Sequence, residues 1–209
     1  ENLRETIEEY GVAIIPNVLN QDEIEDMRKG AWNYFEYITQ DFDIPINRNE
    51  PQTWNGFYSL FPKHSMLQQH FSIGHSQYIW DIRQNHRIVD IFSKFWGVGK
   101  KELITSFDGA SFHLPPEKTN RGWFRNLWLH CDQSFKRNDF ECIQSWVTAY
   151  DIDEGDATLI FLEKSNKYHK DFSEKFKLNC KGEWHKLSIE EMQFYKNDKG
   201  CLTKYIKCP

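Results

Sequence analysis

The sequence predicts an α+β fold, with helices first and a β-sandwich or barrel as the core. Three stretches with apolar residues at helical spacing precede residue 97, and short alternating or apolar runs follow from residue 102 onward. Turn-forming residues separate those later runs, and no repeat, low-complexity tract or linker interrupts the chain, so residues 1–209 read as one domain.

The elements follow in order. Leu3, Ile7 and Tyr10 share a face of a polar helix over 1–10, which Gly11 can end in a left-handed cap. Val12–Ile15 reads as a short strand that Pro16 stops. Asn20 and Glu23 have the spacing of a capping box, and Ile24, Met27, Ala31, Phe35 and Ile38 then predict a helix over 21–39. Residues 40–80 are irregular and rich in Asn, Gln, Pro and aromatics, the composition of an excursion over a site or of an insertion without a role. Ile88, Val89, Ile91, Phe92 and Phe95 predict a helix over 84–96, ended by Gly97. Strands are expected at 102–114, 127–133, 141–151, 157–162 and 201–207. A charged connection fills 163–187, and Ser188 with Glu191 forms a second capping box opening a helix to about 195.

Bulk composition bounds the function. Of 209 residues, 39% are hydrophobic and 27% charged, ordinary for a globular protein, while 8 Trp and 16 Phe are enough both for a bulky core and for pocket walls. A net charge of -5 offers no basic face for nucleic acid. No apolar run approaches a membrane span of about 20 residues, and no signal peptide is seen. The five Cys include no C-x-x-C pair, which predicts neither a disulfide framework nor a thiolate zinc site and points to a reducing, cytoplasmic setting. Glu1 in place of Met and a finish at Cys208-Pro209 directly after a strand-like run suggest a trimmed chain.

One segment carries chemistry: Asn126-Leu-Trp-Leu-His-Cys-Asp-Gln-Ser-Phe135. On a strand, residues i and i+2 face one side, so His130 and Asp132 would present an imidazole and a carboxylate to one point. With a second His from a distant strand they would complete the facial triad that holds Fe(II) and leaves positions open. His-x-Asp occurs twice where composition predicts fewer than one, so the spacing alone is weak. Context separates the two: His130 sits in an apolar, strand-like setting, whereas His169 in His169-Lys-Asp171 reads as part of a solvated loop. Period-2 alternation puts Gln144, Trp146 and Thr148 on one strand face, and Ser111 with His113 on another. Each set is a candidate pocket wall and equally a polar face open to solvent.

Together these segments resemble the phytanoyl-CoA dioxygenase family of Fe(II)/2-oxoglutarate oxygenases. Tyr10-Gly-Val-Ala-Ile-Ile-Pro-Asn-Val-Leu19 and the helix opening Gln21-Asp-Glu-Ile-Glu25 resemble its first strand, turn and helix. His130-Cys-Asp-Gln133 looks like its metal motif, and Gly155–Leu162 with Ser165–His169 like the strand and loop that follow. The resemblance runs from about residue 8 to the end. It implies a double-stranded β-helix, or jelly roll, with N-terminal helices packed outside. It also implies Fe(II) on His130 and Asp132, 2-oxoglutarate as cosubstrate, dioxygen, and a small organic substrate. The strand bearing Gln144, Trp146 and Thr148 lines the cosubstrate site in such enzymes. Asp132 favours hydroxylation over halogenation, because halogenating members lack that carboxylate. The family's second metal His and its basic 2-oxoglutarate partner come on strands after the point where this chain stops. No His follows His185, so the resemblance implies that these two residues lie beyond Pro209. A non-catalytic jelly-roll binding protein without a complete metal site, or a cupin-like site for another divalent metal, would share most of these features.

Overall fold

A computed structural model describes residues 2–60, 67–107, 109–119, 128–178 and 182–208. In chain order the helices are α1 (Leu3–Tyr10), α2 (Gln21–Ile38), α3 (Phe57–Leu60), α4 (Gln77–Arg83), α5 (His86–Trp96), α6 (Pro116–Thr119), α7 (His169–Phe176) and α8 (Ile189–Gln193). The strands are short: β1 (Leu67–Gln68), β2 (Ala110–Ser111), β3 (His130–Cys131), β4 (Ile160–Leu162), β5 (His185–Lys186) and β6 (Thr203–Tyr205). They pair antiparallel as β1–β2, β3–β5 and β4–β6, and no closed barrel or jelly roll is drawn among the described residues. The chain divides into two compact units, Asn17–Arg125 and Glu1–Pro16 with Asn126–Pro209. No helix among the described residues is long and apolar enough to cross a membrane.

In the unit Asn17–Arg125, the predicted capping box forms. The Asn20 side chain accepts from the Glu23 amide at 2.9 Å, and the Glu23 carboxylate accepts from the Asn20 amide at 2.8 Å. Glu23 also takes Arg87 and the Asn85 amide, which ties the start of α2 to the start of α5. These bonds, led by the one from the Asn20 amide, hold the Glu23 carboxyl below its ordinary range. Phe35 of α2 is fully buried with Ile46, Phe57, Leu60, Ile73 and Leu114, so the 40–80 excursion supplies core rather than only cover. Buried Thr39 makes the turn into it, donating to the Phe35 carbonyl at 2.8 Å and accepting from the Ile46 amide at 3.1 Å.

Close packing of α2 on α4 depends on Gly30. A Cβ at that position would lie 2.4 Å from the Tyr78 Cβ, closer than two carbons can sit. Gly30→Ala gains about 1 kcal/mol of helix propensity but overpacks a helix contact, a penalty of about 1–3 kcal/mol. The expected outcome is a net loss of stability, read as a lower urea midpoint at unchanged slope. A rise in midpoint would show that the two helices separate freely.

In the other unit, α1 is capped at both ends: Asn2, expected inside the helix, instead caps its start, and Gly11 at φ 81° closes its last turn onto Ile7 as its sequence predicts. The 164–167 loop then grips that end. The Lys164 amide donates to the Tyr10 carbonyl at 3.0 Å, and the Asn166 side chain donates to the Glu8 carbonyl at 3.0 Å. Lys167 and Lys164 flank Glu9 and hold its carboxyl down to about 2. A depressed carboxyl contributes stability above its ordinary value of 4.5 and loses that contribution as pH falls towards 2. The pair is exposed, so the contribution is small and fades in salt. In an NMR titration of Lys167→Ala the Glu9 midpoint should move up towards 4.5. An unmoved midpoint would discount the contact.

This unit's core is Phe135, Leu162, Phe172, Phe194, Tyr195 and Cys201. The Ser188–Glu191 capping box forms, with the Ser188 amide 2.6 Å from the Glu191 carboxylate. The helix it opens is α8, followed by a π-turn over Phe194–Asp198, and both Phe194 and Tyr195 are buried there.

Several expected elements differ. No strand covers 12–15, and Ile14 and Ile15 are exposed. Among the described residues the expected strand 102–114 is paired only at 110–111, and 127–133 only at 130–131, with 108 and 120–127 outside the described residues. Over 141–151 no strand forms, and the nearest pairing is an isolated bridge between Ile152 and Cys208. Strand-like patterning marks a face, but a strand exists only where a distant partner supplies the ladder. The charged connection 163–187 contains α7, whose Phe172 is fully buried.

Candidate metal centre

The pairing of β3 with β5 sets the geometry. His130 faces Lys186 and Cys131 faces His185, and the Leu187 amide donates to the Leu129 carbonyl at 2.9 Å. Strand alternation then sorts the side chains. Leu129, Cys131 and Leu187 turn inward onto the core, and His185 meets Phe135 and Phe172 edge-on. Trp128, His130, Asp132, Trp184 and Lys186 are exposed on the other face.

His130 and Asp132 converge. His130 Nε2 lies 3.5 Å from Asp132 Oδ1. The other ring nitrogen, Nδ1, is 3.0 Å from the Trp128 carbonyl. A carbonyl only accepts, so Nδ1 carries a hydrogen, and in the neutral ring the lone pair is on Nε2. Metal-binding imidazoles are commonly oriented in this way by a carbonyl behind them. The His130 side chain is 27% exposed and that of Asp132 54%, so neither is sealed in apolar packing. Trp128 stacks on the His130 ring at 4.5 Å and 17°, which further fixes its orientation. Gln133 steadies the bend after Asp132 by donating to the Arg137 and Asp139 carbonyls at 2.9 and 3.0 Å.

Among the described residues no group of three His, Cys, Asp or Glu side chains gathers to hold a metal. Cys131 turns to the opposite side, where its thiol donates to the Gln133 carbonyl at 3.2 Å and sits 3.9 Å from His169 Nδ1. His169, expected in a solvated loop, instead opens α7 and stacks on Phe135 at 4.3 Å. His185 is committed to Glu191 at 3.0 Å.

Gln144 and Trp146 are exposed on a segment without regular structure, and Thr148 is engaged locally, donating to the Tyr150 carbonyl at 2.5 Å. Ser111 and His113 belong to the Asn17–Arg125 unit, where both are exposed. That unit also holds a cavity of about 550 Å³ lined by Asp41, Phe42, Gln52, Thr53, Asn55 and Ser59 among others, none of them singled out by the sequence. Trp128 was legible by i, i+2 alternation with His130. Trp184 and Lys186 were not, because only the β3–β5 pairing brings them to this face.

Comparison of the chain with family models, with curated proteins and with solved structures finds no match.

Proposed function

We propose that the chain is part of an Fe(II)- and 2-oxoglutarate-dependent dioxygenase that hydroxylates a small organic substrate, with His130 and Asp132 as two of the metal ligands. The supporting observation is the convergence of His130 Nε2 and Asp132 Oδ1 at 3.5 Å with Nδ1 engaged behind the ring. Imidazole and carboxylate are donors that Fe(II) accepts. His130 binds through Nε2, which must be free of its proton, and Asp132 binds as the ionised carboxylate. The Trp128 carbonyl and indole keep the imidazole aimed. Iron and 2-oxoglutarate together supply the activation of dioxygen for hydroxylation. The reading includes a jelly-roll core, towards which the long-range antiparallel pairings β3–β5 and β4–β6 count, a cytoplasmic setting and dioxygen as a partner. By the resemblance, the third ligand and the basic 2-oxoglutarate partner come from the family's later strands. The rival, a non-catalytic binding protein with an incomplete metal site, draws on the absence of a third ligand among the described residues.

The test is 2-oxoglutarate turnover by the full protein with Fe(II), comparing wild type with His130→Ala and Asp132→Ala. Turnover present in the wild type and lost in both variants is expected. Equal turnover in all three, or none in any, overturns the proposal.

A further inference from the structure

We infer that the exposed face of the β3–β5 ribbon binds a flat aromatic carboxylate, its ring on Trp128 and Trp184 and its acid group on the Lys186 ammonium. As a statement about substrate class, this rests on the metal-site reading above. As a statement about binding, it rests on the ribbon alone.

Three rings gather on that face. Trp128 and Trp184 lie 6.3 Å apart, and His130 lies 4.5 Å from the first and 5.6 Å from the second. The indoles remain 40% and 49% exposed, a large aromatic surface kept in water. Their spacing leaves no gap for a further ring between them, so a ligand lies over them as on a platform.

Lys186 stands directly across the ladder from His130. Leu129 and Leu187 form the hydrogen-bonded type of pair, which makes His130 and Lys186 the other type, whose side chains approach more closely. No carboxylate pairs with Lys186 among the described residues. Glu183 and Glu141 are committed to Arg137, and Glu191 to His185. Among the described residues Lys186 is thus a cation without a carboxylate partner, directly across the ladder from His130. Asp132 also lies on this face, and its charge opposes the acid group.

The probe is 2-naphthoate, followed by quenching of tryptophan fluorescence in metal-free protein. Binding should weaken about fivefold in Lys186→Ala, the size of a partly exposed charge pair, and at least as much in Trp184→Ala. Methyl 2-naphthoate, which keeps the ring and lacks the charge, should bind wild type about as weakly as the acid binds Lys186→Ala. Equal affinity for acid and ester overturns the inference, as does binding indifferent to Trp184→Ala. Displacement of naphthoate by 2-oxoglutarate, with 2-oxoglutarate binding lost in Lys186→Ala, assigns the ammonium to the cosubstrate and also overturns it. Because the readout needs no iron, naphthoate binding without turnover would sink the oxygenase reading alone. Turnover lost with His130 and Asp132, without naphthoate binding, would sink this inference alone.

Discussion

Phe172→Ala should destabilise its unit by about 3–5 kcal/mol, the range for a large aromatic removed from a packed core. Phe172 is fully buried and touches rings on every side: Phe135 at 4.6 Å, Phe176 at 4.8 Å, Tyr195 stacked at 5.0 Å and Phe194 at 5.6 Å. Those neighbours come from α7, the π-turn after α8 and the loop behind β3, so they cannot all collapse into the space left. Set against a total stability of about 5–15 kcal/mol, the loss brings the unit close to unfolding at room temperature. Phe172→Leu, which keeps most of the volume, should lose clearly less. Urea unfolding followed by circular dichroism measures both. A loss for Phe172→Ala within about 0.5 kcal/mol, the range of surface changes, would mean that α7 does not pack as described. The site feels this core too. Leu129, Cys131 and Leu187 hold the ribbon down on it, and the opposite faces of the same residues' neighbours carry His130 and Asp132.

What the sequence made legible is what is decided locally. The capping boxes at Asn20–Glu23 and Ser188–Glu191 each use two groups three residues apart, and both form. Gly11 and Gly97 adopt left-handed caps at φ 81° and 66° because a glycine there meets no Cβ penalty. Helix α7 was also written locally, as Tyr168, Phe172 and Phe176 at i, i+4 spacing, but the surrounding Lys, Asp and Glu concealed it. Strands were less legible because their partners are remote. Alternation around 141–151 is real in the sequence, yet nothing local says whether another segment arrives to pair with it. The site divides along the same line. The relation of His130 to Asp132 follows from two positions on one extended segment. The presence of Trp184 and Lys186 beside them follows from a register between distant strands, which no short window contains.

Removing either member of the pair should weaken binding of a divalent cation, and removing both should do little more. Loss of a group that merely orients a ligand already lowers metal affinity by about 10–100-fold, so loss of a ligand itself should lower it at least that far. If His130 Nε2 and Asp132 Oδ1 grip the same ion, the first substitution abolishes most of what the second could remove. The effects of His130→Ala and Asp132→Ala are then strongly non-additive. If each residue touches a different ion or none, the losses add or vanish. Competition titration of Co(II) against a chromogenic chelator reads all four proteins of the cycle, and circular dichroism checks that each is folded. The pair is partly open to solvent, so folding should survive all three substitutions. Additive losses would separate the two side chains functionally despite their 3.5 Å approach, and the metal proposal would fall with them.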